Sequence, residues 1–461
     1  MEQQVDSLDS DDLVAVLRGD DLSCAAFLRL LRHPADIVEA MRELEADEWP
    51  RVLRLLDGDE TRAEVVSLLE DGETEELVEH LGTEDFGALL RQMDSDDAAD
   101  FLAELGPEEQ RAALFSLDAD ERKDVETLLR FPDDSAGGIM QVERAEVSDS
   151  ATINQAIEMV RALVNDGIEI HRVYVSDQER RLIGSVDLVD LLLHHGDEPI
   201  AKYIEPLVAR VTPLLDQEEV AALFRKYDLV TLPVVDDDGR MIGRIVHDDI
   251  VDVLHEEAEE DVLRLAGTDA EELLYRDRAL PIAKVRLPWL AVNLLGSLLS
   301  AALLSLYEPV LEQVIIIAVF VPVITAMGGN VGTQSATILT RGFATGRLDL
   351  SDVPRLALKE LRVGLIMGCL CGFAVGTIAA VFFDAGRGYL GVVVGLAMVS
   401  AMTAAAVVGA LAPAALKRLD IDPAIASGPF VTTANDIVGI VIYMSTALLF
   451  LEQLKSVGVN S

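Results

Sequence analysis

PVITAMGGNVGTQSAT (322–337) and PFVTTANDIVGIVIY (429–443) decide how this chain is read, because each places polar groups inside a run long enough to cross a membrane. A helix needs about 20 apolar residues to span a ~30 Å hydrocarbon layer. An ionisable side chain near the middle of that layer costs several kcal/mol unless something compensates it, on the order of 3 kcal/mol by insertion scales. In the second stretch that side chain is Asp436. The other acids after residue 284 fall in loops or at span ends: Glu308, Glu312, Asp349, Asp352, Asp384, Asp420, Asp422 and Glu452, with Glu360 at the cytoplasmic start of a span. No Lys, Arg or His lies mid-span, so a buried ion pair has no evident partner for Asp436. Neighbouring hydroxyls could cap it structurally; a cation from outside the chain is the more natural counter-charge.

The first stretch carries Gly328, Gly329 and Gly332 beside Asn330, Thr333 and Gln334. Two readings stand. Small residues let membrane helices approach closely, and amides join them. Alternatively, loosened backbone exposes carbonyls to a water-filled path, helped by Pro322. Asn330 and Gln334, four apart, share one helix face.

Working outward, five candidate spans appear: 286–306, 313–340, 362–383, 390–416 and 425–451. Arg341, Arg347, Arg355, Lys359 and Arg362 crowd one connection, and Lys417 and Arg418 another, while the opposite connections carry only Arg387. The positive-inside rule places the N-terminal part in the cytosol and the C-terminus outside. Cys369 and Cys371, two apart on an apolar helix, read as packing residues.

Charge divides the chain in the same place. Residues 281–461 carry 11 basic and 10 acidic residues, whereas 1–280 carry 26 against 71. So acidic a surface repels phosphate backbones and argues against a nucleic-acid partner. Three cysteines cannot form a disulfide framework. MEQQVDSLDSDD at the start has neither basic nor apolar signal regions. Seven lysines against thirty arginines, with this acidity, point to a salt-adapted cytosol.

Within the acidic part, phrases such as MDSDDAADFLAEL and LDADERKDVETLLR repeat one grammar: a capping residue, acids in the first turn, then Leu at helical spacing. They predict short helices over 1–132, stacked as a superhelical solenoid or gathered into a small bundle. EIHRVYVSDQERRLIGSVDLVDLL (169–192) then aligns with DLVTLPVVDDDGRMIGRIVHDDIVDVL (228–254) at an offset of 59, pairing Asp177 with Asp236, Gly184 with Gly243 and Asp190 with Asp249. Each copy reads as helix, strand, strand, helix, and the pair resembles tandem CBS domains at 133–198 and 199–257. A charged connecting helix over 258–280 leads to Arg276, Arg278, Lys284 and Arg286 and the membrane part, 281–461.

Carboxylate, carbonyl and water oxygens suit hard cations, and one carboxylate per chain suits an ion that keeps its water, as Mg²⁺ does. Two chains meeting at a pore would supply two Asp436 side chains for a divalent charge.

PDDSAGGIM (132–140), the CBS-like repeat, PVITAMGGNVGTQ and PFVTTANDIVGIVIY, in that order, resemble the MgtE family of magnesium transporters along essentially the whole chain. The resemblance implies a multidomain architecture: a helical superhelix, an α+β CBS pair, a connecting or plug helix, and an all-α domain of five transmembrane helices. It implies a homodimer in the cell membrane whose axial pore binds hydrated Mg²⁺ at Asp436. Gly329, Asn330, Thr432 and Asn435 match motif positions near that pore, and Glu360 a position near its inner mouth. It further implies Glu218, Asp228, Asp249, Asp252, Glu257, Glu260 and Asp261 as sensor carboxylates through which cytoplasmic Mg²⁺ closes the channel. Glu257 and Asp261 stand four apart on one helix. ATP is expected to bind weakly or not at all. CBS modules that hold its phosphates and ribose carry Ser or Thr three residues before an Asp, and here Asp187 and Val246 stand before Asp190 and Asp249.

Two other classes remain as rivals. An intramembrane aspartyl protease needs two carboxylates and finds one mid-span. A membrane-tethered sensor of divalent cations or nucleotide, without transport, would leave the polar second span unexplained. Among cargoes, Co²⁺, Mn²⁺ or Ni²⁺ compete with Mg²⁺.

Overall fold

The computed structural model describes residues 10–31, 33–165, 167–266, 268, 279–383, 389–419, 421–426 and 428–458. It forms two compact units, Met1–His255 and Glu256–Ser461.

Among the described residues the first unit has ten short helices between Ser10 and Leu128, none longer than ten residues. Their starts follow the capping grammar. The Asp20 carboxylate accepts from the Ser23 N–H at 3.0 Å, and Asp118 accepts from Asp120 and Glu121 at 2.9 and 3.1 Å. Each satisfies backbone donors that the first turn leaves open. Each helix buries one apolar side, and the buried side chains run on into those of the second CBS copy: Leu102 and Leu128 share a core with Val220, Leu232 and Ile245. The first copy keeps a separate core around Val173, Val175 and Ile200.

The repeat at offset 59 holds in three dimensions. β2 (Arg172–Ser176) pairs antiparallel with β3 (Leu182–Asp187), and β4 (Thr231–Val235) with β5 (Met241–Val246). Val175 faces Gly184 in the first hairpin and Val234 faces Gly243 in the second, each next to a register shift. β1 (Glu146–Ser148) adds to β2 in parallel. The aligned residues have structural tasks. Asp177 accepts from the N–H groups of Glu179 and Arg181, and Asp236 likewise from Asp238 and Arg240, closing the two turns. Those turns pass through the left-handed region at Arg180 (φ 63°) and Gly239 (φ 81°). Gly184 and Gly243 are glycine because another backbone crosses there: an added Cβ would lie 2.5 Å from the Glu205 carbonyl oxygen and 2.7 Å from that of Gln141. The crossing segment that includes Gln141 follows PDDSAGGIM, whose Ala136 and Gly137 N–H groups donate to Leu215 and Pro213.

A single helix, His247–Ala266, runs without a break through 257–258, where the second CBS-like domain and the connecting helix were expected to divide. Residues 267 and 269–278, including Arg276 and Arg278, lie outside the described residues.

Among the described residues of the second unit five helices are long and apolar enough to span a membrane: Ala279–Ser305, Ile315–Ala344, Leu350–Phe382, Tyr389–Lys417 and Phe430–Leu449. The third and fourth pack most closely. Gly364, Gly368, Gly372 and Gly376 recur every fourth residue on the third, and a Cβ on any of them would press into Gly391, Gly395, Val399 or Thr403 of the fourth. Without a hydrophobic drive between helices in lipid, such backbone approach provides the association.

The second span corrects one reading. Its α-helix, Val321–Ala344, is continuous through Gly328, Gly329 and Gly332, so the glycines do not open the backbone to a water path. They admit neighbours instead. A Cβ at Gly409 of the fourth span would lie 2.1 Å from the Gly332 carbonyl oxygen, and one at Gly332 would lie 1.7 Å from the Asn435 amide nitrogen. Pro322 occupies the first helical turn, where a missing N–H costs nothing, and frees no mid-span carbonyl.

Candidate ion path and cytoplasmic acid cluster

The fifth span's helix, Pro429–Leu449, positions Asp436. The carboxylate is partly exposed and makes no hydrogen bond or ion pair among the described residues. Thr432, one turn earlier on the same side, is exposed, and its hydroxyl donates to the Gly428 carbonyl at 3.2 Å. Its methyl group lies over Gly329: a Cβ there would meet it at 3.8 Å. Asn330 and Gln334, four residues apart on one helix face, are both exposed.

Asn435 and Glu360 are placed differently. Asn435 is 1% exposed, lodged against Gly332, and neither its amide nitrogen nor its oxygen has a hydrogen-bond partner. Glu360 is 4% exposed, two turns inside a helix that begins at Val353. It accepts from the Ser335 hydroxyl of the second span at 2.8 Å, and the Lys359 ammonium lies 3.8 Å away. Within one chain these two polar groups join the spans, while Asp436, Thr432 and Asn330 keep exposed faces. The fifth span is also anchored from the other end, where the buried Tyr443 hydroxyl donates to the Ile317 carbonyl at 2.8 Å.

The other concentration of carboxylates lies in the first unit, where the helix Ser95–Ala103 meets the start of His247–Ala266. Asp249 sits near the N-terminus of its helix and accepts from the Val246 N–H at 3.4 Å. Burial together with repulsion from Asp248 and from Asp97 and Asp94 raises its pKa far above the usual carboxylate range. Asp97 is raised for the same reasons: burial first, then Asp94, Asp248 and Asp252, against a hydrogen bond from Ser67. Asp96 is raised by burial and by Asp249, Asp97 and Asp94. It is 5% exposed, and its Oδ1 has no partner. Asp252 is raised by burial and by Asp248. Alongside, Ser95 donates to Glu143 at 2.7 Å and accepts from the Val142 N–H at 3.0 Å. A buried carboxylate oxygen without a donor, facing other carboxylates, is costly unless protonated or met by a cation. No three His, Cys, Asp or Glu side chains among the described residues converge closely enough to wrap a bare metal ion.

Asp249 and Asp252 were expected here; Asp94, Asp96, Asp97 and Asp248 were not. In the sequence DSDDAAD reads as an ordinary helix start, and only the fold reveals that it is covered. The remaining sensor candidates are elsewhere. Glu218 is exposed on the helix Gln217–Tyr227, and Asp228 closes that helix in the left-handed conformation (φ 53°), a backbone task of its own. In the second unit Glu260 contacts Arg264, which also donates to Asp422 at 2.5 Å. Glu257 is partly buried on the same helix, and the Asp261 side chain lies outside the described residues. At the expected nucleotide position, Asp187 is held by Arg172 at 2.5 Å.

Comparison with known proteins decides the family. The profile of the divalent cation transporter family MgtE matches residues 321–446, that of the MgtE intracellular N domain 32–134, and that of the CBS domain 206–256. The magnesium transporter MgtE of Thermus thermophilus is 38% identical over 444 residues, covering 95% of this chain and 97% of the relative. That of Bacillus subtilis is 31% identical over 422 residues, covering 92% and 93%. This chain belongs to the MgtE family. The cytosolic domain of the Mg²⁺ channel MgtE, solved in complex with ATP, is 32% identical and covers 52% of this chain and 99% of its own, with a TM-score of 0.49. The expected architecture of helical N-terminal part, CBS pair and five membrane helices accords with these matches and with the fold.

Proposed function

We propose that this chain carries Mg²⁺ across the cell membrane through a pore formed by two copies, with Asp436 holding the hydrated ion. The observation that carries the reading is Asp436 itself: a carboxylate within a span, partly exposed, and without a hydrogen bond or ion pair among the described residues. Family relatives named as magnesium transporters support the cargo. Thr432 and Asn330 present oxygen and amide groups beside the path, suited to a water shell rather than to bare-ion coordination. Asn435 and Glu360 set the spacing of the spans behind it. The N-terminal unit faces the cytosol and the C-terminus the outside, as the basic loops require.

Closure follows from the acid cluster. Arg244 offsets part of the charge at Asp94 and His255 part of that at Asp252, yet Asp94, Asp96, Asp97, Asp248, Asp249 and Asp252 still repel one another, and cytoplasmic Mg²⁺ relieves that repulsion only when the two surfaces are together. An ion that binds the closed arrangement more tightly shifts the population towards it. ATP plays little part, since neither CBS copy supplies the hydroxyl that its phosphates need.

Flux of Mg²⁺ into proteoliposomes, wild type against Asp436→Ala, tests the reading. Uptake in the wild type that is abolished in the variant and reduced by Mg²⁺ on the cytoplasmic face supports both halves. Equal uptake in the two removes Asp436 from the path.

A further inference from the structure

We propose that the cytoplasmic end of the third span is a docking surface for the headgroups of anionic phospholipids. The helix Val353–Phe382 begins on a capped turn, in which the Asp349 N–H donates to Asp352 at 3.1 Å. Arg355, Lys359 and Arg362 follow at spacings of four and three, which bring them into one arc of roughly 60°. All three are exposed. On the opposite side of the same helix Glu360, Gly364 and Gly368 are buried against neighbouring spans. The basic arc thus points away from the helices that hold the span in place.

Its chemistry is unmet among the described residues. Arg355 and Arg362 have no ion pair or hydrogen bond among the described residues, and Lys359 only approaches the buried Glu360 at 3.8 Å. Beside the arc Leu358, Leu365 and Ile366 are exposed. An acidic protein surface would satisfy the three cations and leave those three side chains in water. A bilayer surface presents anions and acyl chains together, and so fits both halves of the stripe. Long basic side chains at a span end reach the headgroup level with their stems in apolar surroundings.

The test needs no transport, so its failure is separable from that of the transport reading. Full-length wild type and R355Q/K359Q/R362Q are reconstituted in mixed phosphatidylglycerol and phosphatidylcholine, and the lipid each retains is counted by native mass spectrometry. A control, R161Q/K226Q/R240Q, removes equal charge from the soluble unit. The wild type and the control retain phosphatidylglycerol preferentially; the triple variant loses that preference by about tenfold or more. Molar salt weakens it in the wild type, because screening then acts over about 3 Å. Unchanged retention in a folded triple variant overturns the proposal. So does displacement of the lipid by millimolar inorganic phosphate, which assigns the arc to a soluble anion. Loss of the oligomer with retention unchanged assigns it to a second copy.

Discussion

One span holds a single carboxylate with nothing opposite it, while the junction between the N-terminal helices and the second CBS copy holds six that oppose each other. In the function proposed above both meet a cation, on different terms. Asp436 stands in an apolar run where any charge is expensive, which gives a single carboxylate reason to attract an ion. The Asp94–Asp97 and Asp248–Asp252 groups stand at the edge of an already acidic unit. There attraction is plentiful, and what matters is how steeply repulsion grows when the surfaces close. On the proposed function the cargo site is tuned by scarcity and the sensor by crowding.

The largest effect expected from breaking this contrast is at the single carboxylate. Asp436→Asn keeps the size and polarity of the side chain and removes its charge, and should reduce Mg²⁺ uptake to that of empty vesicles. If uptake survives in Asp436→Asn but not in a bulkier Asp436→Leu, the site works by shape rather than charge.

Packing behind the path comes next. Gly409→Ala places a methyl group 2.1 Å from the Gly332 carbonyl oxygen, where no flexible end can yield. It should lower the thermal stability of the purified protein by about 1–3 kcal/mol, as overpacking of a close helix pair does. Unaltered melting would show that the spans separate easily at this point, and that the second reading of the glycines, an open backbone, deserves return.

Those glycines show what the sequence could and could not convey. Their number and the amides among them marked the second span as special, yet both readings used the same letters. The choice depended on what faced Gly332, and the answers, Gly409 and Asn435, lie about 80 and 100 residues away. Asp436 was legible because its oddity is local: a charge within an apolar run. Asp96 was illegible because its oddity is tertiary: an acid at a helix start is ordinary until another domain covers it. The CBS repeat was legible to the residue, since Asp177, Gly184 and their counterparts answer to local turn and crossing geometry that both copies must satisfy.

Crowding also has a pH signature. The native Asp96, Asp97 and Asp249 carboxyls titrate well above their unfolded counterparts, at about 7 for Asp97 and about 8 for Asp249. Between the unfolded range near pH 4 and those values the folded form binds more protons, so its stability is greatest at the acid side and declines as pH rises to about 8. In chelator the full-length protein should therefore melt several degrees lower at pH 8 than at pH 5.5. Millimolar Mg²⁺ should recover most of the difference at pH 8 and little at pH 5.5. Asp97→Asn with Asp249→Asn should flatten both dependences and raise the Mg²⁺ needed to reduce flux. A variant that keeps the wild-type slope would move the sensor away from this junction.

The smallest effect sharpens the comparison most. Arg264 already stands between Glu260 and Asp422, so in the second unit the protein supplies its own cation where the first unit leaves carboxylates facing carboxylates. Glu260→Gln should therefore change the closing concentration of Mg²⁺ far less than Asp249→Asn does. Arg264→Ala should expose two acids to each other and make that end of the connecting helix newly responsive to Mg²⁺. The bridge is partly open to solvent, which limits its worth to about 0.5–1 kcal/mol, or roughly two- to fivefold in the closing concentration. If Glu260→Gln instead matched Asp249→Asn, the arginine would be an incidental neighbour, and scarcity and crowding would no longer divide along the boundary between the two units.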